Sequence, residues 1–272
     1  MQLLYQAGQV GKTMARKSEG VYTDQGVLVP FSAVVFQPNY AADLEDSSSF
    51  AAAPTVVGSN TYFDAGAGPF GGGAVYCAPG ASFPYQDSIQ YARSFNQGLG
   101  GSNNFTIDTW IKVEAGRSYV GKGIVGIHTA TPTASTSEFV VKSTGSTGTN
   151  LAVNLTVHTD AGSQTNVSTP SSVPFGSWQH LRICLRVSPS TGLREFRFFR
   201  NGVLFHGPVS TGNRNTYDTD EANPIVVGLL FRGTASDSRF PGWIGPTRII
   251  KGYCLNNSNA SFVPPTTYFP VY

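Results

Sequence analysis

The strongest pattern in the chain is the alternation of apolar and polar residues over residues 105–113. One face of this segment carries Phe105, Ile107, Ile111 and Val113. The other face carries Thr106, Asp108, Trp110 and Lys112. A period of two residues is typical of a strand with one face in the core and one turned outward. A parallel strand covered by helices on both sides is a continuous apolar run instead, so the pattern predicts an antiparallel sheet.

The same alternation recurs later in the chain. Residues 151–159 place Leu151, Val153, Leu155 and Val157 on one face. Residues 180–187 place Leu181, Ile183, Leu185 and Val187 inward, and His180, Arg182, Cys184 and Arg186 outward. Further strands are predicted at 28–36, 55–57, 61–63, 74–77, 123–128, 138–142, 193–200, 203–205, 225–232 and 243–250. Roughly 12 to 14 short strands at this spacing, with no long helical pattern, predict an all-β, antiparallel β-sandwich.

Turn signals support the same fold. The dipeptide Asn201–Gly202 separates two predicted strands and favours a type I′ hairpin. The chain holds 31 Gly and 17 Pro among its 272 residues, and these residues end strands. Only 12% of the residues are charged, about half the usual share, so the surface must consist largely of hydroxyl groups, amides and glycine.

The charge pattern argues against nucleic acid and membrane partners. The formal net charge is +2 and no run of five like charges occurs. Arg197 is out of phase with Arg194 and Arg200, so these residues do not form a basic stripe. No apolar stretch of 18 residues is present, and residues 1–20 lack the apolar region of a signal peptide. We therefore expect synthesis in a cytosol.

The three cysteines, Cys77, Cys184 and Cys254, are odd in number and far apart in sequence. This spacing predicts neither a disulfide framework nor a zinc site. We interpret them as thiols packed in the interior like small hydrophobic residues.

Enzyme chemistry lacks its usual patterns. Glycan hydrolysis needs two opposed carboxylates, and on a strand these usually form an alternating acidic run. Asp108 and Glu195 have no acidic residue two positions away on either side. The four histidines lie on separate predicted strands, and no Gly-x-Ser-x-Gly motif occurs. The sequence therefore predicts a protein that is not an enzyme, with glycan hydrolysis as a third hypothesis only.

Two binding sites are candidates. If the outward face of the sheet is exposed, Asp108, Trp110, Arg182 and Arg186 line a surface with the aromatic and polar groups that bind glycans. The alternative is that Trp110 and Trp178 only cover the sheet. The second candidate is a Ca²⁺ site at Asp218, Asp220 and Glu221, whose oxygens suit a hard cation, although the loop lacks a glycine turn. No other cofactor is predicted.

Four segments in order resemble a known family. They are residues 70–76 followed by 105–112, then 178–183, 196–203, and 242–252 followed by Phe262-Val-Pro-Pro265. Together they resemble the laminin-G-like, concanavalin A-like jelly rolls, most closely those in virion proteins of tailed bacteriophages. The resemblance covers about residues 33–270 and implies a sandwich over 31–272 with an irregular N-terminal arm over 1–30. Gly245–Pro246 stands where the family often has acidic residues, which removes a carboxylate available to brace a loop or hold calcium.

The resemblance implies a non-enzymatic structural protein of a phage virion, in head decoration or in the tail or baseplate. Its arm would dock onto other virion proteins through Leu3, Leu4, Tyr5, Arg16 and Lys17. Within the particle we expect a homo-oligomer whose outer surface contacts host glycans. The alternative is a carbohydrate-binding lectin, with or without calcium.

Overall fold

A computed structural model describes residues 21–22, 26, 28–78, 87–92, 104–128, 137–158, 164–212, 223–230 and 239–269. The first strands are β1 (Val21–Tyr22), β2 (Leu28–Val29), β3 (Val34–Phe36), β4 (Pro54–Val57), β5 (Thr61–Asp64), β6 (Ala74–Cys77), β7 (Ser88–Tyr91), β8 (Phe105–Val113) and β9 (Lys122–His128). The later strands are β10 (Ser137–Thr147), β11 (Asn150–His158), β12 (Gln164–Ser168), β13 (Val173–Pro174), β14 (Gln179–Val187), β15 (Arg194–Arg200), β16 (Val203–Thr211), β17 (Ile225–Val227) and β18 (Gly242–Lys251). A 3-10 turn spans Phe31–Ala33. None of the described residues forms a helix able to cross a membrane.

The strands form two large antiparallel sheets. Sheet 1 has the order β16-β15-β14-β8-β18-β6-β5, with β3 paired to β18. Sheet 2 has the order β12-β11-β10-β9-β17-β7-β4, with β13 paired to β11. The short strands β1 and β2 pair with each other. The predicted all-β antiparallel sandwich is confirmed, and β8, the strand with the strongest alternation, lies near the middle of sheet 1.

The core lies between the two sheets and consists of the predicted inward faces. Phe105, Ile107, Ile111 and Val113 of β8 are fully buried in it. Facing residues from sheet 2 include Leu151, Val153, Leu155 and Val157 of β11. The period-two pattern correctly assigned these residues because adjacent side chains on a strand point to opposite faces.

One polar pair interrupts the inward face of sheet 1. Thr109 lies directly opposite Thr247 across β8 and β18, and their Oγ1 atoms are 2.9 Å apart. Thr247 donates its hydroxyl hydrogen to the Gly245 carbonyl oxygen at 3.1 Å, so Thr109 donates to Thr247. Both hydroxyl groups are thereby hydrogen-bonded in the interior, which avoids the cost of an unpaired buried polar group.

The predicted hairpin is confirmed. Asn201 and Gly202 have φ angles of 49° and 80°, the two positive values that a type I′ turn requires, and they connect β15 to β16. The strand predicted at 225–232 is central, between β9 and β7, but it ends at Val227. Gly228 follows with a φ of 88°, which takes the backbone out of the strand conformation.

Two of the predicted sites lie outside the described residues. The docking residues Leu3, Leu4, Tyr5, Arg16 and Lys17 belong to residues 1–20. The calcium candidates Asp218, Asp220 and Glu221 belong to residues 213–222. Both stay predictions. Within the part of the chain that the structure describes, no cluster of three or more metal-binding side chains occurs.

Candidate functional site

The outer face of sheet 1 is covered by the last described segment of the chain, residues 253–269, which we call the C-terminal strap. Its start is held by Thr106 of β8, whose Oγ1 donates to the Tyr253 carbonyl at 3.0 Å and accepts from the Leu255 amide at 2.9 Å. Further along, the Phe262 amide donates to the Gly202 carbonyl at 2.9 Å. Because Thr106 is on the outward face of β8, the strap packs on the side of sheet 1 that faces away from the core.

Beneath the strap lies a buried cluster of charged residues. Asp108 on β8 is directly opposite Arg182 on β14 and Arg248 on β18, because β8 lies between those strands. Arg182 Nε and Nη2 donate to the two Asp108 carboxylate oxygens at 2.5 and 3.1 Å, and Arg248 Nη2 donates to Oδ2 at 2.7 Å. Such paired geometry offsets the cost of removing these charges from water.

The charges set the protonation states in the cluster. Burial raises the pKa of the Asp108 carboxyl group, but the Arg182 and Arg248 guanidinium groups lower it more, so its pKa is well below the ordinary value. His180 Nε2 is 3.4 Å from Asp108 Oδ1. Burial lowers the pKa of His180 below its usual value, although Asp108 opposes this shift. At neutral pH the cluster therefore holds an ionised Asp108 and a neutral His180.

The strap closes the cluster from above. The ring of Phe262 lies 3.9 Å from the Arg182 guanidinium carbon, and the ring of Phe269 lies 4.2 Å from that of Arg248. The side-chain oxygen Oδ1 of Asn256 accepts from Arg182 Nη1 at 2.6 Å. These cation–π contacts and the hydrogen bond anchor the strap to the sheet.

The condition of the glycan hypothesis, an exposed outward face, is therefore not met at two of the four glycan candidates. Asp108 is 0% exposed and Arg182 is 8% exposed, because Phe262 and Asn256 cover them. The prediction that they point outward from the core is correct. Arg186 is half-buried and donates from Nε to Glu195 Oε2 at 2.9 Å, and we find it paired within the sheet.

The fourth candidate, Trp110, lies in an open groove beside the strap. The groove has a volume of about 430 Å³, and its lining residues are Phe70, Trp110, Trp178, Asn201, Val263, Pro264, Pro265 and Thr266. Trp110 follows Asp108 by two positions on the same face of β8, and Trp178 immediately precedes β14. Phe70 comes from the loop between β5 and β6 and meets the Trp110 ring edge-on at a centroid distance of 5.2 Å.

Gly245 leaves room for the two tryptophans. A β-carbon at this position would lie 3.1 Å from Trp110 Cβ and 3.2 Å from Trp178 Cζ3. The pairing of β18 with β8 shifts register between Ile244 and Thr247, so Gly245 and Pro246 form an irregularity in the strand. The departure from the family pattern noted at Gly245 thus lies directly against the groove.

Sequence reasoning found only part of this groove. It selected Trp110 and considered Trp178 as a cover for the sheet. It assigned Asn201 to a turn and used residues 262–265 only for the family resemblance. Aromatic residues near the ends of strands β8 and β14 were the signal available. The contribution of the strap was not visible, because it depends on contacts between distant parts of the chain.

The third tryptophan lies on the same face but in different surroundings. Trp243 on β18 donates from Nε1 to Asp64 Oδ2 at 2.8 Å, and the Lys112 ammonium nitrogen is 4.8 Å from its ring centroid. The ring of Tyr76 lies 4.7 Å away on the neighbouring strand. Trp243 does not line the groove, so it provides an internal control for changes at Trp110 or Trp178.

Solved structures share this fold. The binding domain of Paraclostridial Mosquitocidal Protein 1 superposes with a TM-score of 0.55 at 13% identity, covering 80% of this chain and 48% of that one. The Botulinum neurotoxin serotype D binding domain superposes with a TM-score of 0.54 at 13% identity, covering 83% and 49%. The chain thus spans about half the length of these two structures. At such low identity the likeness concerns the fold alone.

Sequence comparison points to the same group. No curated protein matches the chain. The family model described as the concanavalin A-like lectin/glucanases superfamily, laminin G type, matches residues 86–258, which is more than half of the chain. This match contains the central strands of both sheets. Of the four segments on which the laminin-G-like resemblance rested, it contains two completely and the other two without residues 70–76 and 262–265. The chain therefore belongs to the concanavalin A-like lectin/glucanases superfamily.

Proposed function

We propose that the chain is a non-enzymatic carbohydrate-binding domain whose ligand occupies the groove between Trp110, Trp178 and the C-terminal strap. The observation that carries this proposal is the composition of the groove: three aromatic rings and two prolines surround about 430 Å³, and the polar lining residues are Asn201 and Thr266. A sugar ring has apolar C–H faces that pack on aromatic rings, and its hydroxyl groups need a few polar partners.

The composition also favours binding without turnover. The eight lining residues include no carboxylic acid and no histidine. The nearest acid on β8, Asp108, lies under the strap and is held ionised by Arg182 and Arg248. A glycan hydrolase needs one carboxyl group with a raised pKa, so that it is protonated and can act as the general acid. The pKa of Asp108 is lowered instead.

Replacing Trp178 by Ala tests the groove. We expect the affinity for a glycan identified on an array to fall by about tenfold or more, because one stacking face is lost. Titration calorimetry with the full chain measures the change. The matched control is Trp243→Ala, which removes a tryptophan from the same sheet face outside the groove and should leave the affinity within about twofold.

The proposal fails if no glycan binds the wild-type chain, or if both tryptophan variants bind as tightly as the wild type. An equal loss of affinity in both variants would show that binding is weakened by destabilisation of the whole sheet and not by a change in the groove. Melting temperatures of the three proteins separate that outcome from a local effect.

We further propose that this domain belongs to a bacteriophage virion and is mounted through its N-terminal residues. The support is the order and spacing of the four sequence segments that resemble phage virion proteins. Val29 packs with Val34, Ile250 and Leu255, so part of the predicted arm contacts the sandwich. A truncation for testing the arm should therefore stop before residue 21.

Deleting residues 1–20 is expected to abolish incorporation into particles while glycan binding and the melting temperature stay unchanged. The deletion removes all five proposed docking residues, from Leu3 to Lys17, and no described residue of either sheet. Incorporation is measured by immunoblotting of purified particles from a complemented host. Normal incorporation of the truncated chain would contradict the docking role.

A further inference from the structure

Two of the three cysteines meet on the outer face of sheet 1, although seventy positions separate them in sequence. Cys184 on β14 lies directly opposite Thr106 on β8, and Thr106 Oγ1 is 3.7 Å from Cys184 Sγ. The same Thr106 hydroxyl bonds the strap at Tyr253 and Leu255, the residues on either side of Cys254. Thr106 therefore contacts Cys184 and also binds the two residues that flank Cys254, which places the two cysteines close together.

The two cysteines belong to one small buried cluster with Phe199. Each thiol lies near enough to the other to shift its pKa. Cys184 is 0% exposed and Cys254 is 4% exposed. Cys254 also lies with its sulfur 3.2 Å from the Asn256 carbonyl oxygen. Cys77, in contrast, belongs to the core between the sheets.

The surroundings give the two sulfurs different acidities. Burial raises the pKa of the Cys184 thiol, but its hydrogen bond to Cys254 and the charge of Arg182 lower the pKa below the ordinary value. The hydrogen bond to Cys184 and burial raise the pKa of Cys254. Arg182 lies two positions before Cys184 on the same face of β14, so its positive charge favours the Cys184 thiolate, and we assign the first attack to Cys184.

We propose that Cys184 and Cys254 form a disulfide cross-linking site that fastens the C-terminal strap to sheet 1 when the protein meets a low-molecular-weight disulfide. The Cys184 thiolate attacks one sulfur of the oxidant and releases one thiol, giving a mixed disulfide. The Cys254 thiolate then attacks the Cys184 sulfur, forms the cross-link and releases the second thiol. The protein loses two electrons and two protons, and the oxidant is reduced to two thiols.

The cross-link would act on the strap as a whole. It closes a ring of about seventy residues that includes β15 to β18, and closing a ring of this size removes conformational freedom mainly from the unfolded chain. The strap is joined to β18 by one short connection, and its far end lines the groove. A fixed start therefore limits how far the strap can separate from Trp110 and Trp178.

The test uses the full chain, unfolded in urea and refolded by dilution into a buffer of oxidised and reduced glutathione. Refolding exposes both thiols, so burial in the native state cannot prevent the reaction. We expect a non-reducing peptide map to show Cys184 joined to Cys254, and the melting temperature to rise by about 5–10 °C over the reduced protein. Dithiothreitol should reverse both changes.

Two serine variants serve as controls. Cys77→Ser keeps both members of the pair and should form the same cross-link with the same rise in melting temperature. Cys184→Ser should form none, and its melting temperature should be the same in oxidising and in reducing buffer. Glutathione adducts without a cross-link, a cross-link that involves Cys77, or a cross-link that lowers the melting temperature would each overturn the proposal.

Discussion

Replacing Asp108 by Asn is expected to lower the free energy of unfolding by about 3–5 kcal/mol, because two buried guanidinium groups then lack the negative charge between them. Arg182 and Arg248 remain beneath the strap, where water cannot replace the lost carboxylate. The strap should loosen as well, since both arginines support its phenylalanine rings. Urea unfolding followed by tryptophan fluorescence measures the loss, and limited proteolysis within 253–269 reports the strap.

The matched control is Glu114→Gln. Glu114 pairs with Arg117 at 3.2 Å near the surface, and such solvent-accessible pairs contribute little to stability. It also accepts from the Tyr76 hydroxyl at 3.3 Å, and a glutamine oxygen can accept the same hydrogen bond. Its unfolding midpoint should stay close to that of the wild type. If Asp108→Asn were as mild as this control, the cluster would not contribute to the stability of the fold.

Lowering the pH should reduce the difference in free energy of unfolding between the wild type and Asp108→Asn. Asp108 has a lower pKa in the folded chain than in the unfolded chain, where it is about 3.9, so its contribution is fully present above that pH. Below it the unfolded chain takes up a proton first, and the contribution falls as the pH decreases. The two unfolding curves should therefore approach each other below about pH 4 and stay separate at neutral pH.

Replacing Gly202 by Ala is expected to destabilise the protein by about 2–4 kcal/mol, for two reasons that add. The φ of 80° at Gly202 is unfavourable for any residue with a β-carbon. That carbon would also lie 1.8 Å from the carbonyl oxygen of Phe262, so the strap must move away from the hairpin. Urea unfolding gives the total, and faster cleavage of the strap by a protease shows the displacement.

Gly192→Ala separates the two causes. Gly192 also has a positive φ, 67°, but a β-carbon there would meet no atom within 4 Å. Gly192→Ala should therefore lower the free energy of unfolding only by the cost of the positive φ, about 1–2 kcal/mol. Cleavage of the strap should not change. Equal losses in the two variants would mean that Gly202 serves the turn alone and that the strap does not press on it.

The alternation of residues along the chain by itself determined the fold class, the inward residues of β8 and β11, and those of β14 except the half-buried Val187. The turn residues determined the hairpin at Asn201–Gly202. The sequence also predicted correctly that the cysteines are buried. These properties depend on local geometry: a strand turns successive side chains to opposite faces, and a type I′ turn needs residues that accept positive φ.

The tertiary structure alone decided what covers the outward face. Asp108 and Arg182 point away from the core, as the pattern predicted, but the strap buries them. The sequence distances show why: Asp108 meets a residue 74 positions away and another 140 positions away. Strand order brings these residues together, and period-two alternation contains no information about strand order.

The groove and the cysteine pair have the same origin. Trp110 and Trp178 come from two neighbouring strands, and residues 263–266 reach them only because the strap crosses the sheet. Cys184 and Cys254 lie close together because Thr106, on the neighbouring strand β8, binds the strap at the residues on either side of Cys254. Alternation along a strand assigns each side chain to a face. Its neighbours on that face come from other strands and from the strap, and only the tertiary structure determines where those segments lie.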